Sequence, residues 1–208
     1  MASMTHGRRK GVGLLRGFFS VTAVLLASAA ALADMVGYNK VVDLREQNAV
    51  LVVEHHHDWS RSTEPARFKM ISTTKDPFTT ENTYSYLRVV EKASGRELFR
   101  APVPALSILW ISPDSKYVVG LSSIKLWNPF QLVVFTRAGR RVFERDFTSD
   151  TTPGIQQSVT NWIGWYKEPA PAIGLEESQG WVILSIEDRL GTTRRFRFRA
   201  DGEKRASP

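Results

Sequence analysis

The chain of 208 residues contains no cysteine. That excludes a disulfide framework, thiolate zinc sites, a cysteine nucleophile and a lipidated N-terminal cysteine. Histidine is almost as scarce. There are four, and all but His6 stand together in Glu54-His55-His56-His57-Asp58. A Ser-His-Asp arrangement would have to recruit from that cluster, and no Gly-x-Ser-x-Gly elbow accompanies it. No Walker loop, His-Glu-x-x-His helix or EF-hand loop is present either. Carboxylate-only catalysis, such as glycoside cleavage, needs no local motif and stays open. After residue 33 no hydrophobic stretch approaches the ~20 residues of a membrane helix, and no long apolar recurrence at helical spacing occurs.

The one long apolar run lies at the start. Arg8, Arg9, Lys10 and Arg16 form a basic region without an acid. Gly17 to Ala33 is an uncharged run of 17 residues that closes on Ala31-Leu32-Ala33 before Asp34. A positive start, a short apolar middle and a small-x-small exit are the features of a secretory signal peptide. Residues 1–33 are therefore expected to be a cleaved leader. The pair Arg8-Arg9 is followed by Lys10-Gly11-Val12 rather than a bulky apolar pair, which favours general secretion over twin-arginine export. The expected location is periplasmic or extracellular. Removing 33 of 208 residues leaves 175, and removing four of 28 basic residues against 21 acids leaves a charge of +3. So small an excess makes no case for nucleic acid. Residues 34–200 are expected to form one soluble domain, with no transmembrane segment after cleavage, and 201–208 a polar tail. About 175 residues bury roughly 70% of the unfolded surface, enough for a core without disulfides.

The segments after Asp34 are short, rich in β-branched and aromatic residues, and bounded by turn formers. Ala49 to Glu54, Arg67 to Ser72, Tyr84 to Val90, Lys116 to Leu121, Gln131 to Phe135, Val182 to Ile186 and Arg194 to Arg199 read as strands. Turn signals stand at Ala93-Ser94-Gly95-Arg96, Pro113-Asp114-Ser115, Ala138-Gly139-Arg140 and Leu190-Gly191-Thr192. Lys40 to Asn48 carries a weak signal for a short helical turn. The fold class is all-β.

Three similar strings end in tryptophan: Asn48 to Trp59, Lys116 to Trp127 and Ala170 to Trp181. The last two share Gly-Leu and the closing Trp at equal offsets. Trp110 and Trp165 precede the second and third strings. The glycine turns at 95, 139 and 191 keep a loose period near 50 residues with about four strands per unit, the size of a propeller blade. Ile108-Leu-Trp-Ile-Ser-Pro-Asp-Ser-Lys-Tyr-Val-Val-Gly-Leu, followed by Leu132-Val-Val-Phe-Thr-Arg-Ala-Gly139, resembles the WD-like β-propeller repeat of the TolB type. Ser115 stands where that repeat has glycine. The resemblance implies a blade-like sheet and often a protein- or glycan-binding role, and it carries no catalytic residue across. A complete ring needs at least four blades. The expected architectures are thus a small or incomplete propeller-like fold of four-stranded antiparallel repeats, or a β-sandwich or meander of similar units.

Three groups of side chains are candidates for chemistry. On an extended strand His55 and His57 share a face; with Asp58 or another carboxylate they could hold Zn²⁺ or Cu²⁺ and support a hydrolase, or they could be a solvated strand end. Trp162, Trp165 and Tyr166 lie in a polar, proline-rich stretch and would suit stacking on sugar if exposed, whereas Trp110, Trp127 and Trp181 are expected in the core. Arg195, Arg197 and Arg199 alternate with Phe196 and Phe198, giving either a basic stripe for an anionic ligand or a charged face that protects a sheet edge. The function expected is a non-catalytic protein-interaction domain of the cell envelope. The alternatives are a glycan- or envelope-polymer-binding domain, and a hydrolase built on the histidines. No cofactor, nucleic acid partner or oligomeric state is indicated.

Overall fold

Leu51, Val53, His55 and His57 are buried while Glu54, His56 and Asp58 are half-buried, the period of two that makes a strand with one face on a core. The same alternation organises the rest of the molecule. The computed structural model describes residues 41–58, 76–80, 82–125, 128–158 and 162–202, all within the unit Asn39–Pro208. The described residues form thirteen strands and no helix, in four antiparallel sheets, none closed into a barrel. No described helix is long and apolar enough to cross a membrane. The leader, the strand expected at 67–72, Trp59, Trp127 and the tail beyond 202 lie outside the described residues.

The first sheet is a meander of β1 (Val41–Gln47), β2 (Leu51–Asp58), β3 (Ser85–Glu91) and β4 (Glu97–Pro102). The second repeats that order with β5 (Ile108–Ile111), β6 (Tyr117–Leu121), β7 (Leu132–Thr136) and β8 (Arg141–Arg145). A two-stranded ribbon, β9 (Gln156–Gln157) and β10 (Ile163–Gly164), precedes a third sheet of β11 (Ile173–Ser178), β12 (Trp181–Glu187) and β13 (Thr193–Arg199). The three tryptophan-ended strings run along β2, β6 and β11. Before β11, the place that β1 and β5 hold in chain order falls to β10, which pairs with β9 instead.

The helical signal at 40–48 is corrected: Val41–Gln47 form β1, paired with β2 at seven positions. Leu44, Arg45, Glu46 and Gln47 are good helix formers in isolation, but propensity is a weak prior that seven paired positions override. All four turn signals fall between paired strands, and Gly95, Gly139 and Gly191 take positive φ there. A Cβ on Gly139 would also stand 2.7 Å from Phe99 of the first sheet. Ser115 adopts φ 59° in the β5–β6 turn, a left-handed conformation that favours glycine. Its hydroxyl explains the departure, because it accepts a 2.8 Å bond from Asn48 Nδ2 in the β1–β2 turn.

Two cores set the layering. One joins Leu51, Val53, Leu87 and Val89 of the first sheet to Leu109, Val118, Val133 and Phe135 of the second. The other joins Val119, Leu121, Leu132 and Val134, on the opposite face of the second sheet, to Val182, Leu184, Ile186 and Phe198 of the third. The second sheet is the middle layer and β6 is buried throughout. Burying each such aliphatic side chain contributes about 1.5–3 kcal/mol. This leaves the first and third sheets each with one outward face.

Candidate functional site

The histidine cluster divides between two faces of β2. His55 lies in the interior, 1% exposed. Its Nδ1 is 3.1 Å from the Tyr86 carbonyl, and its Nε2 accepts from the backbone N–H of Leu106 at 3.1 Å. Those two bonds fix a neutral imidazole with its proton on Nδ1, tying the β2–β3 pair to the connection before β5. Desolvation lowers its pKa to about 4, against a smaller opposing effect of the Tyr86 bond. His57 is also buried, opposite Ser85 in register and edge-on to the Tyr84 ring at 5.7 Å. Desolvation, helped by its neighbours His55 and His56, lowers it to about 3.

The geometry gives the metal reading of this cluster no support. Both ring nitrogens of His55 are committed, so no lone pair remains for an ion. Asp58, by alternation, lies on the face of His56 rather than that of His55 and His57. Among the described residues no group of three His, Asp or Glu side chains is placed to hold a metal. Ser85, the hydroxyl nearest in register to His57, makes no hydrogen bond through Oγ among the described residues, whereas a nucleophile needs its base within reach. Parity carried the signal: His55 and His57 continue the odd-numbered series begun by Leu51 and Val53.

The tryptophan expectation is corrected in part. Trp165 is 0% exposed; it stacks on Phe147 with centroids 4.5 Å apart and donates Nε1–H to the Ser122 carbonyl at 2.9 Å. Tyr166 is likewise buried. Trp162 is half-buried, with its ring over Gly164 and the Arg189 guanidinium 5.1 Å from it. The three therefore form no shared surface. Trp110 packs against the second core, but Trp181 is turned outward, on the same face as the arginines of β13.

The two outward faces differ in their charges. On the first sheet, Arg45 meets Glu54 at 3.5 Å, Glu54 meets Arg88 at 2.8 Å, Arg88 meets Glu97 at 2.7 Å and Glu97 meets Arg100 at 3.3 Å. Arg100 covers the Tyr86 ring, Tyr86 stacks on His56, and His56 Nδ1 bonds Asp43 at 2.8 Å. Hydrogen bonds from Arg100 and Arg88 hold Glu97 below the ordinary carboxylate range. The face is a closed network of opposite charges.

On the third sheet, cross-strand register sets Trp181 beside Arg199, Ile183 beside Arg197 and Ser185 beside Arg195. Arg197 and Arg199 lie 4.1 and 5.4 Å from the Trp181 ring, and Arg199 also pairs with Asp201 at 3.1 Å. Arg195 and Arg197 are exposed. They are the only described lysines or arginines with no oxygen acceptor; every other one is engaged by a carboxylate, an amide or hydroxyl oxygen, or a backbone carbonyl. The facing β11 contributes Gly174, Glu176 and Ser178 to the same side, and nothing lies within 4 Å of a Cβ built on Gly174. The result is an open sheet face carrying an aromatic ring, an isoleucine and two guanidiniums that lack anions.

A shallow groove of about 500 Å³ between the β3–β4 and β7–β8 turns is lined by Arg96, Glu97, Leu98, Arg137 and Ala138. Its cations already meet Glu91 and its carboxylate meets Arg88 and Arg100, so it offers no unsatisfied charge to a ligand.

No protein-family model matches the chain, and no curated protein or solved structure matches it.

Proposed function

We propose that the chain is an exported, non-catalytic protein-binding domain of the cell envelope that meets its partner through the outer face of the third sheet. The observation that carries this reading is the pair Arg195 and Arg197, exposed beside Trp181 and Ile183 and lacking the oxygen acceptors that every other described cation has. Aromatic residues and arginine are the types enriched where proteins bind one another. Guanidiniums held without anions provide charge complementarity for an incoming surface. The leader pattern of residues 1–33 supports export, and the WD-like resemblance at Ile108 to Gly139 supports a binding role. The glycan alternative drew on Trp162, Trp165 and the same stripe of Arg195, Arg197 and Arg199, and the burial of Trp165 takes away one of its two stacking rings.

A photo-cross-linking residue at Ser185, in the centre of the third sheet's outer face, tests the reading in the cells that make the protein. A discrete, protease-sensitive adduct from Ser185 and none from Gln47, on the outer face of the first sheet, is expected. A glycan adduct, or equal labelling at both positions, overturns it. Export is tested by N-terminal sequencing of the protein outside the cytoplasm: a start at Asp34 supports it, and retention of residues 1–33 overturns it.

A further inference from the structure

We infer that the partner is bound as an added β-strand along the free edge of β13, by an extended peptide segment with carboxylates at alternate residues. This rests on the protein-binding reading above and specifies its chemistry.

Three observations converge on it. First, β13 is an edge: the third sheet runs β11-β12-β13, and no described strand pairs with the far side of β13. An edge strand presents a row of backbone donors and acceptors that a peptide can complete. Second, the side chains of β13 repeat with the period of a strand. Arg195, Arg197 and Arg199 lie about 6.8 Å apart on one face, from a rise of ~3.4 Å per residue, which is also the spacing of alternate residues in an added strand. Directly opposite residues on neighbouring strands have Cβ atoms about 5 Å apart, within reach of a guanidinium–carboxylate fork. Arg199 already has Asp201, so Arg195 and Arg197 are the two anchors. Third, the other face of β13 presents Phe196, which is half-buried against the second core and 6.0 Å from Phe143 of β8. Inward residues of the added strand would meet this aromatic margin, so the matching segment alternates acidic with apolar residues.

Charge chooses a peptide over sugar stacking and over self-association. The Trp181 ring is already covered by Arg197 and Arg199, which occupies the surface a sugar would use. Two copies of β13 paired antiparallel would set arginines against arginines. The charges that exclude like strands are those that admit an acidic one.

Fluorescence anisotropy with the labelled peptide Glu-Val-Glu-Val-Glu-Val-Glu and the purified protein provides the test. The alternating peptide is expected to bind at least tenfold more tightly than a peptide of the same composition with its glutamates clustered. It should likewise exceed an alternating peptide N-methylated on every second residue, in whichever of the two registers blocks the edge, and R195E/R197E should abolish binding. Far-UV circular dichroism confirms that the variant folds. Equal binding of the clustered and both N-methylated peptides would overturn strand addition and leave attraction by charge alone. Binding of an oligogalacturonate at the affinity of the peptide would overturn the choice of a peptide. If no peptide binds while the Ser185 adduct is still a protein, this inference fails and the protein-binding reading stands. Loss of both removes the reading itself.

Discussion

The outward faces of the first and third sheets are built from the same kind of meander, yet their charges are arranged for different ends. On the first sheet each side chain from Asp43 through His56, Tyr86 and Arg100 to Glu97, Arg88, Glu54 and Arg45 has a partner within the sheet. On the third, Arg195 and Arg197 have no anion and Trp181 serves as the support on which Arg197 rests. Exposed ion pairs contribute little singly, about 0–1 kcal/mol, but a closed network presents no net field to a ligand. Two guanidiniums without anions gain no ion-pair stabilisation and present a field. Charge satisfied within the sheet marks the first face as structural, and the charge left over on the third is what the proposed binding role rests on.

The comparison has a floor beneath it, the buried side of the first sheet. His55→Ala removes the link between the Tyr86 carbonyl and the Leu106 N–H and leaves a cavity. It should cost about 2–4 kcal/mol in urea unfolding, the largest effect of the set. A cost below about 1 kcal/mol would contradict the structural role of this histidine.

Next in size is the pH response of the same residues. His55 is held to about 4 and His57 to about 3, below the ordinary 6.5. The unfolded chain therefore binds protons that the folded chain refuses. Stability is fully present above pH 6.5 and is lost as pH falls from about 6.5 toward about 3. Urea midpoints between pH 7 and 5, above the carboxylate range, should fall with pH, and replacing both histidines with leucine should flatten that slope. An unchanged slope would mean the rings are not buried neutral.

On the outer face of the first sheet, Arg88→Ala breaks the network in the middle, leaving Glu54 with Arg45 alone and Glu97 with Arg100 alone. It should lower the unfolding midpoint measurably, by less than His55→Ala does, and more at low salt than at high salt. The smallest effect belongs to the third sheet. Arg195→Ala with Arg197→Ala should leave stability within about 1 kcal/mol of the parent, since no ion pair is lost and only the contact of Arg197 with the Trp181 ring goes. Equal destabilisation by Arg88→Ala and by the double variant would erase the distinction between the two faces.

Much of this could be read in advance, because period and parity are local. The alternation of Arg195, Arg197 and Arg199 with Phe196 and Phe198 fixes both faces of β13 without knowledge of any neighbour. The glycine and Ser-Pro-Asp turns mark hairpins through their own backbone requirements. The elements missed are those whose character comes from a partner. β1 is a strand because β2 pairs with it, against the helical preference of Leu44 to Gln47. Trp165 is buried because Phe147 and the Ser122 carbonyl come to it from other parts of the chain. β4 and β8, with Arg100, Arg141 and Arg145 among their residues, have the charged composition of edges and carry little apolar signal. The stripe on β13 was legible, but its lack of acceptors was not, since that depends on where every carboxylate in the fold lies. His55 and His57 read as metal ligands or a solvated strand end only while Leu51 and Val53 were left out of the count.

The most direct measurement is a charge exchange across the proposed contact. The parent protein and R195E/R197E are each titrated with the alternating Glu-Val peptide and with its Lys-Val counterpart at one ionic strength. The expected result is an inversion, the parent binding the acidic peptide and the variant the basic one. A preference that survives the exchange would contradict the assignment of the third sheet's outer face as the binding surface.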